Sequence, residues 1–194
     1  MMCPRNSIAV IAAVWEFVDM SLTFVPTPLG NLRDITLRGV DALREADVIV
    51  AEDSRVTRKL LSALGITGKS VITYHEHSGE DVAAAIVDRA AREKVAVVSD
   101  AGMPGVSDPG RDLIVLARDA KLRVDLLPGP VAYVGAAVLS GFAAPKVVFE
   151  GWLPRESRKR RETFARAREI EAITLWYESP HRLMSALACL LYTS

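Results

Sequence analysis

Cysteine is scarce in this chain. Cys3 and Cys189 are the only two, and they lie at opposite ends of the 194 residues. So placed, they make neither a metal-ligand spacing nor a disulfide framework, which fits a reducing, cytoplasmic compartment. Net charge is lacking as well. The 24 basic residues balance 24 acidic ones, so any basic footprint for a nucleic acid must be local. Long apolar runs are missing. "IAVIAAVWEFV" (Ile8 to Val18) is about 11 residues long, carries Glu16, and is too short to span a bilayer. "EFVDMS" after it offers no small-residue cleavage site for a signal peptide. No membrane partner is expected. Residues 1–20 read as an extension outside the fold, with Met20 opening the working domain. Neither G-x-x-x-x-G-K-[ST] nor G-x-G-x-x-G occurs, and there is no internal repeat or low-complexity segment.

What is present is a regular alternation. Half the residues are apolar, enough for a sizeable core in one large or two small domains. "LTFVPT", "DVIVAED", "SVITYH", "VAVVSD" and "RVDLLPGP" read as five short strands. Helical patterns separate them: "TLRGVDALREA", "SRVTRKLLSAL" closed by Gly65, "GEDVAAAIVDRAAREK", and residues 111–121. Strand–helix alternation predicts an α/β fold with a parallel sheet covered on both faces. Pro-Gly-Pro at 128–130 can continue neither element and marks a boundary. Residues 21–128 are therefore read as an N-terminal α/β domain and 129–194 as a second α/β domain. The second holds two strands ("KVVFEGWLP", "ITLWYESP") and three helices, a poor independent unit that reads as incomplete.

The unusual residues sit at strand ends. "SDAGMPGVSDPG" (residues 99–110) packs three glycines, two prolines and two aspartates between a strand and a helix. Ligands of parallel α/β sheets bind outside the carboxyl ends of the strands. There glycine lets a backbone come close and proline fixes the loop. "PTPLGN", "AEDSR", "YHEH" and "PGPVA" follow the other strands and complete a rim. Phosphate fits this loop badly: it holds no Lys or Arg before Arg111, and Asp100 and Asp108 would repel it. A neutral or cationic ligand held by backbone groups fits better, and S-adenosylmethionine is one.

Five stretches taken together carry a resemblance: "VPTPLGNLRDIT", "AEDSRVTRKLL", "VSDAGMPGVSDPG", "LPGP" and "EGWLPRESRKRR…LWYESPHRL". In this order and at these intervals they resemble the tetrapyrrole-methylase, or class III, methyltransferases, in their ribosomal-RNA-modifying branch. The resemblance runs from about Leu22 to Leu187. It implies two α/β domains with S-adenosylmethionine between them, usually as a homodimer. It also implies 2′-O-methylation of a cytidine in the 16S rRNA of the small ribosomal subunit. Carried over residue by residue, the cofactor cleft uses Leu29 and Gly30, then Asp100, Ala101, Gly102, Pro104 and Val106, then Pro130, Val131 and Ala132. Met103 stands where the family usually has Thr, and Val131 where Cys or Ser is commoner. The tail "LACLLYTS" does not follow the family. Two other readings stay open: a methylase of a tetrapyrrole or corrin precursor, and a non-catalytic RNA-binding fragment.

Methyl transfer to a ribose hydroxyl is an in-line displacement that needs alignment, a dry cleft and a base. No metal is required. The base candidates are the strand-end carboxylates Glu52, Asp53 and Glu178, with His75 and His181 beside them. Asp53 equally reads as the N-cap of the helix starting near Ser54. "HEH" (residues 75–77) has no third ligand nearby and reads as polar loop rather than metal site. "RESRKRRETFARAR" (Arg155 to Arg168) carries seven basic and two acidic residues, so RNA-backbone contact is expected from Arg155, Arg158, Lys159, Arg160 and Arg161. Arg55, His181 and Arg182 join them. Arg55 also reads as a salt bridge on the first helical turn. Tyr133 and Tyr177 read as base-stacking or as core and rim packing. Asp34 reads as a cleft residue or as the cap of the helix near Thr36.

Overall fold

A computed structural model describes residues 22–193. The expected extension at 1–20 lies outside the described residues. β1 (Leu22–Phe24), β2 (Val48–Ala51), β3 (Ser70–Thr73), β4 (Val95–Val98) and β5 (Val124–Leu126) form one sheet in the order β3-β2-β4-β1-β5. Every pairing is parallel, with Leu22 opposite Val95 and Val124, and Val48 opposite Ser70 and Val95. The inner strands β2 and β4, "VIVA" and "VAVV", are buried at every position, as strands covered on both faces should be. The edge strands β3 and β5 are only partly buried.

α1 (Leu37–Glu45), α2 (Ser54–Ala63), α3 (Glu80–Ala90) and α4 (Arg111–Asp119) connect the strands. Two cores result, one on each face of the sheet. Leu22, Phe24, Val48, Val50, Ile86 and Leu113 build one, and Val25, Leu43, Ile49, Leu61 and Val98 build the other. Burying a side chain such as Phe24 or Ile86 stabilises the fold by roughly 1.5–3 kcal/mol. α1 starts where Thr36 Oγ1 accepts the Gly39 N–H at 3.0 Å. Thr36, not Asp34, is therefore the cap; Asp34 lies in a 3-10 turn, Leu32–Asp34, two residues too early. Gly65 follows the end of α2 with φ +66, as the sequence predicts.

After the Pro-Gly-Pro turn come α5 (Ala132–Ser140), β6 (Val147–Trp152), α6 (Ser157–Arg168), β7 (Ile173–Tyr177) and α7 (Pro180–Thr193). β6 and β7 pair in parallel as a separate two-stranded sheet, with α6 as their crossover. Its small core gathers Leu153, Phe164 and Ala186, with Trp176 and Cys189 packed against them. The parallel arrangement brings the carboxyl ends of all five strands of the first sheet to one rim, and the candidate site lies there.

Candidate active site

Thr27, in the loop after β1, exchanges both main-chain hydrogen bonds with Gly102, in the loop after β4: Thr27 N–H donates at 2.9 Å and Gly102 N–H at 3.0 Å. Thr27 Oγ1 donates to Ser99 O at 3.0 Å, and Ser99 Oγ to Gly102 O at 3.2 Å. Gly102 has φ +85, which L side chains rarely adopt. A Cβ there would stand 3.1 Å from Leu29 Cδ2 and 3.7 Å from the Pro130 carbonyl oxygen. Three loops therefore meet at this glycine, those after β1, β4 and β5. Leu29, Gly30, Asp100, Ala101 and Ala132 are exposed, Val106, Pro130 and Val131 are half-buried, and Gly102 and Pro104 are buried.

Carboxylates line the rim beside them. The Asp53 N–H donates to Asp100 Oδ1 at 2.9 Å. This bond ties the loops after β2 and β4 together. Burial pushes the Glu52 carboxyl up, and the neighbouring Asp100 adds to the shift. Asp100 is raised for the same first reason, burial. Asp108 is pushed up to about 6, by burial first and then by the Glu52 charge, while the Ser99 hydroxyl opposes the shift. Asp53 goes the other way. Its contacts with Arg55, at 2.7–3.2 Å, hold its carboxyl at about 2. Asp53 is the N-cap of α2 and the ion-pair partner of Arg55, so both structural readings of these residues hold. His75 Nδ1 accepts the His77 N–H at 3.2 Å and lies 3.4 Å from Ser78 Oγ.

An aromatic wall faces this rim from the second sheet. Tyr133 stacks on Phe149 with ring centroids 4.4 Å apart. Phe149 meets Tyr177 at 4.6 Å, and Tyr177 meets Trp152 at 5.6 Å. The wall and the rim touch: a Cβ on Gly151 would lie 3.6 Å from Ser107 Oγ, and the Asp108 charge helps to raise the Tyr177 hydroxyl, after burial. Glu178 lies next to Tyr177 but is occupied. It accepts the Ser179 N–H at 2.7 Å, and its Oε2 stands 3.1 Å from an Arg182 guanidinium nitrogen, close but not aligned as a hydrogen bond. Arg182 also donates to Leu153 O and Pro154 O at 3.2 and 3.1 Å, so it fastens α7 to the loop after β6.

The basic run divides by helical geometry. Arg160 shares a face with Thr163 and Phe164 and is buried with them, so its guanidinium leaves the basic surface on which the sequence places it. Arg155, Arg158, Lys159 and Arg161 are exposed, as is His181. Arg158 pairs with Glu162 and Lys159 with Glu156. Two features of the site are not legible in the sequence. Asp108 reads there only as a charge that repels phosphate, although it shares a loop with Asp100. The joining of Phe149 and Trp152 with the two tyrosines depends on packing between the two sheets, which no local pattern reports.

A glycine-shaped rim on a parallel sheet, free of any phosphate-loop pattern and opposed by a second α/β unit, defines a class III methylase architecture. The chain belongs to that family: the pattern of the Tetrapyrrole (Corrin/Porphyrin) Methylases matches residues 21–193. Solved structures agree on the fold. A diphthine synthase aligns with TM-score 0.66 and 22% identity over 89% of this chain and 71% of that one. A cobalamin biosynthetic enzyme, cobalt precorrin-4 methyltransferase, aligns with TM-score 0.57 and 18% identity, covering 78% of each chain. Within the family, the chain is similar to proteins named ribosomal RNA small subunit methyltransferase I. It is 42% identical over 168 residues to that of Halalkalibacterium halodurans, covering 86% of this chain and 58% of the relative. Identity is 42% over 167 residues for that of Thermotoga maritima, covering 86% and 74%. For that of Vibrio cholerae it is 40% over 167 residues, covering 86% and 58%. The chain thus spans 58% of the length of the Halalkalibacterium and Vibrio relatives.

Proposed function

We propose that this chain carries the cofactor half-site and part of the acceptor surface of an S-adenosylmethionine-dependent methyltransferase acting on the 2′-hydroxyl of a cytidine in 16S rRNA. The observation that carries the reading is the meeting of Leu29, Gly102 and Pro130 beside a rim of Glu52, Asp100 and Asp108. The rim fits the cofactor in two ways. A main-chain cradle that a Cβ would crowd suits a ligand held by backbone groups, and carboxylates suit a cationic one. Bound there, S-adenosylmethionine would supply an activated methyl group on a sulfonium.

The chain's own residues do the remainder. Leu29, Gly30, Ala101, Gly102, Pro104, Val106, Pro130, Val131 and Ala132 shape the cradle. Asp100 fixes the β2–β4 junction and lends negative charge. The aromatic wall presents apolar surface opposite the rim. A base must be ionised near neutrality yet still attract a proton. Asp108, raised to about 6, meets that requirement best and is assigned the hydroxyl proton, with Glu52 beside it. Asp53, held at about 2 by Arg55, is a weak acceptor. Glu178 is engaged by Arg182.

The RNA reading draws support from the relatives' names and from the exposed Arg155, Arg158, Lys159 and Arg161. Such contacts position a backbone without reading its sequence. A homodimer and a cytoplasmic setting accompany the same reading. The test is methyl transfer from labelled S-adenosylmethionine to isolated small ribosomal subunits, with a corrin precursor as the competing acceptor. Label in the 2′-O position of an RNA cytidine supports the proposal. Label in the corrin alone, or cofactor binding with no acceptor, contradicts it.

A further inference from the structure

The second sheet carries an irregularity that the cofactor site does not explain. In β6, Phe149 pairs with Leu175 and Trp152 pairs with Tyr177, so three steps on one strand match two on the other. That is a β-bulge at Glu150–Gly151, and Gly151 adopts φ +75 within it. Strict alternation would send residues 149 and 152 to opposite faces. The bulge returns Trp152 to the face of Phe149 and Tyr177, and the Trp152–Tyr177 ring contact follows from it. Yet Trp152 is not buried. It remains 55% exposed, at the edge of a depression of about 670 Å³ lined by Trp152, Leu153, Arg155, Ser179 and Arg182.

The chemistry of that depression is specific. Its lining is more apolar than polar, it includes an indole in T-shaped contact with Tyr177, and its charges are both guanidinium groups. Arg182 is spent on Glu178 and on two carbonyls. Arg155 is exposed and has no ion-pair partner among the described residues. An exposed indole beside an unpaired guanidinium offers what an unstacked base and its phosphate require. Arg155 stands two residues before α6, on which Arg158 and Arg161 are also exposed.

We propose that the bulge presents Trp152 as a stacking platform for one unpaired nucleotide of the RNA, with Arg155 meeting its phosphate, so that the base is held on the second sheet while the ribose is offered to the rim. The proposal rests on the RNA reading given above and adds to it a nucleotide subsite.

The test uses the whole chain and two probes: a fluorescein-labelled oligocytidylate and its abasic ribose-phosphate counterpart. The chain should bind oligocytidylate more tightly than the abasic strand. Trp152→Ala should lose about tenfold on oligocytidylate and little on the abasic strand, the range set by stacking on an aromatic ring. Trp152→Phe, which keeps a ring, should retain most of the affinity and guards against a folding defect in the alanine variant. Arg155→Ala should weaken both probes alike. If the chain binds both strands equally and Trp152→Ala changes neither, the subsite is overturned while the RNA reading stands. If the chain binds neither strand, both fall. If Trp152→Ala lowers self-association in sedimentation and leaves RNA affinity unchanged, the face is an interface between copies and the subsite is again overturned.

Discussion

Thr27 and Gly102 form an isolated antiparallel bridge between the loops that follow two adjacent parallel strands, β1 and β4. The bridge folds the loop after β4 back over the sheet's edge, and it explains why that loop is so rich in punctuation. Ser99 and Thr27 satisfy the turn's carbonyls, and Gly102 takes the backbone angle that the reversal needs. Residues 100–108 are thereby held open toward Tyr177 and Gly151 of the second sheet.

Asp108 gives two readouts of opposite sign. As a base it must be ionised, so methyl-transfer rate should rise with pH through about 6. Asp108→Asn should remove that limb and lower the rate by about 10²–10⁴-fold. Stability runs the other way. The folded carboxyl is raised above its unfolded value, so the folded state binds more protons between about pH 4 and pH 6. Its stabilising contribution is complete below the unfolded pKa and is lost as pH rises through about 6. Thermal melts should show Asp108→Asn gaining on the parent chain as pH increases across that window.

Tyr74 is buried at the end of β3, and its hydroxyl donates to Asp112 in the first turn of α4. Burial, then this bond and the Asp112 charge, push the phenol well above its ordinary pKa. The pair anchors the far foot of the loop that ends at Gly110. Tyr74→Phe should cost about 1.5–3 kcal/mol, the range for a hydrogen bond to a charged group. Chemical denaturation measures the loss, and amide exchange should place it in α4.

Arg158 and Arg161 stand on the exposed face of α6. Replacing both by alanine should weaken RNA binding without changing cofactor affinity. The slope of log affinity against log salt should fall by about 0.7 for each phosphate of single-stranded RNA that is no longer neutralised. Arg160→Ala should act differently. Arg160 is buried with Thr163 and Phe164, so its removal should lower melting temperature before it changes the salt slope.

Local patterns carry most of the fold. The apolar runs of β2 and β4, the helix-spaced faces of α1 to α4 and the Pro-Gly-Pro turn all correspond to elements seen in three dimensions. The strand-end loops are legible for the same reason: a parallel sheet leaves them nowhere else to go. What sequence does not report is direction and partnership. Arg160 looks like its neighbours in a basic run, and only the helix phase turns it inward. Asp34 and Thr36 compete as caps two residues apart, and the first turn decides between them. Asp108 acquires its raised pKa from burial beside Glu52, which lies 56 positions earlier. Trp152 faces its tyrosine only because a bulge adds a residue to β6.

The most direct measurement is calorimetric titration of the chain with S-adenosylhomocysteine, beside Gly102→Ala. A Cβ at this position meets Leu29 at 3.1 Å and strains a backbone at φ +85. Saturable binding by the parent chain, weakened about five- to thirtyfold in a folded Gly102→Ala variant, is the expected result, since relief of the about 1–2 kcal/mol strain of an αL alanine moves the loop out of its binding geometry. A folded parent chain that releases no heat of binding, or a Gly102→Ala variant with undiminished affinity, would contradict a cofactor site at the meeting of these three loops.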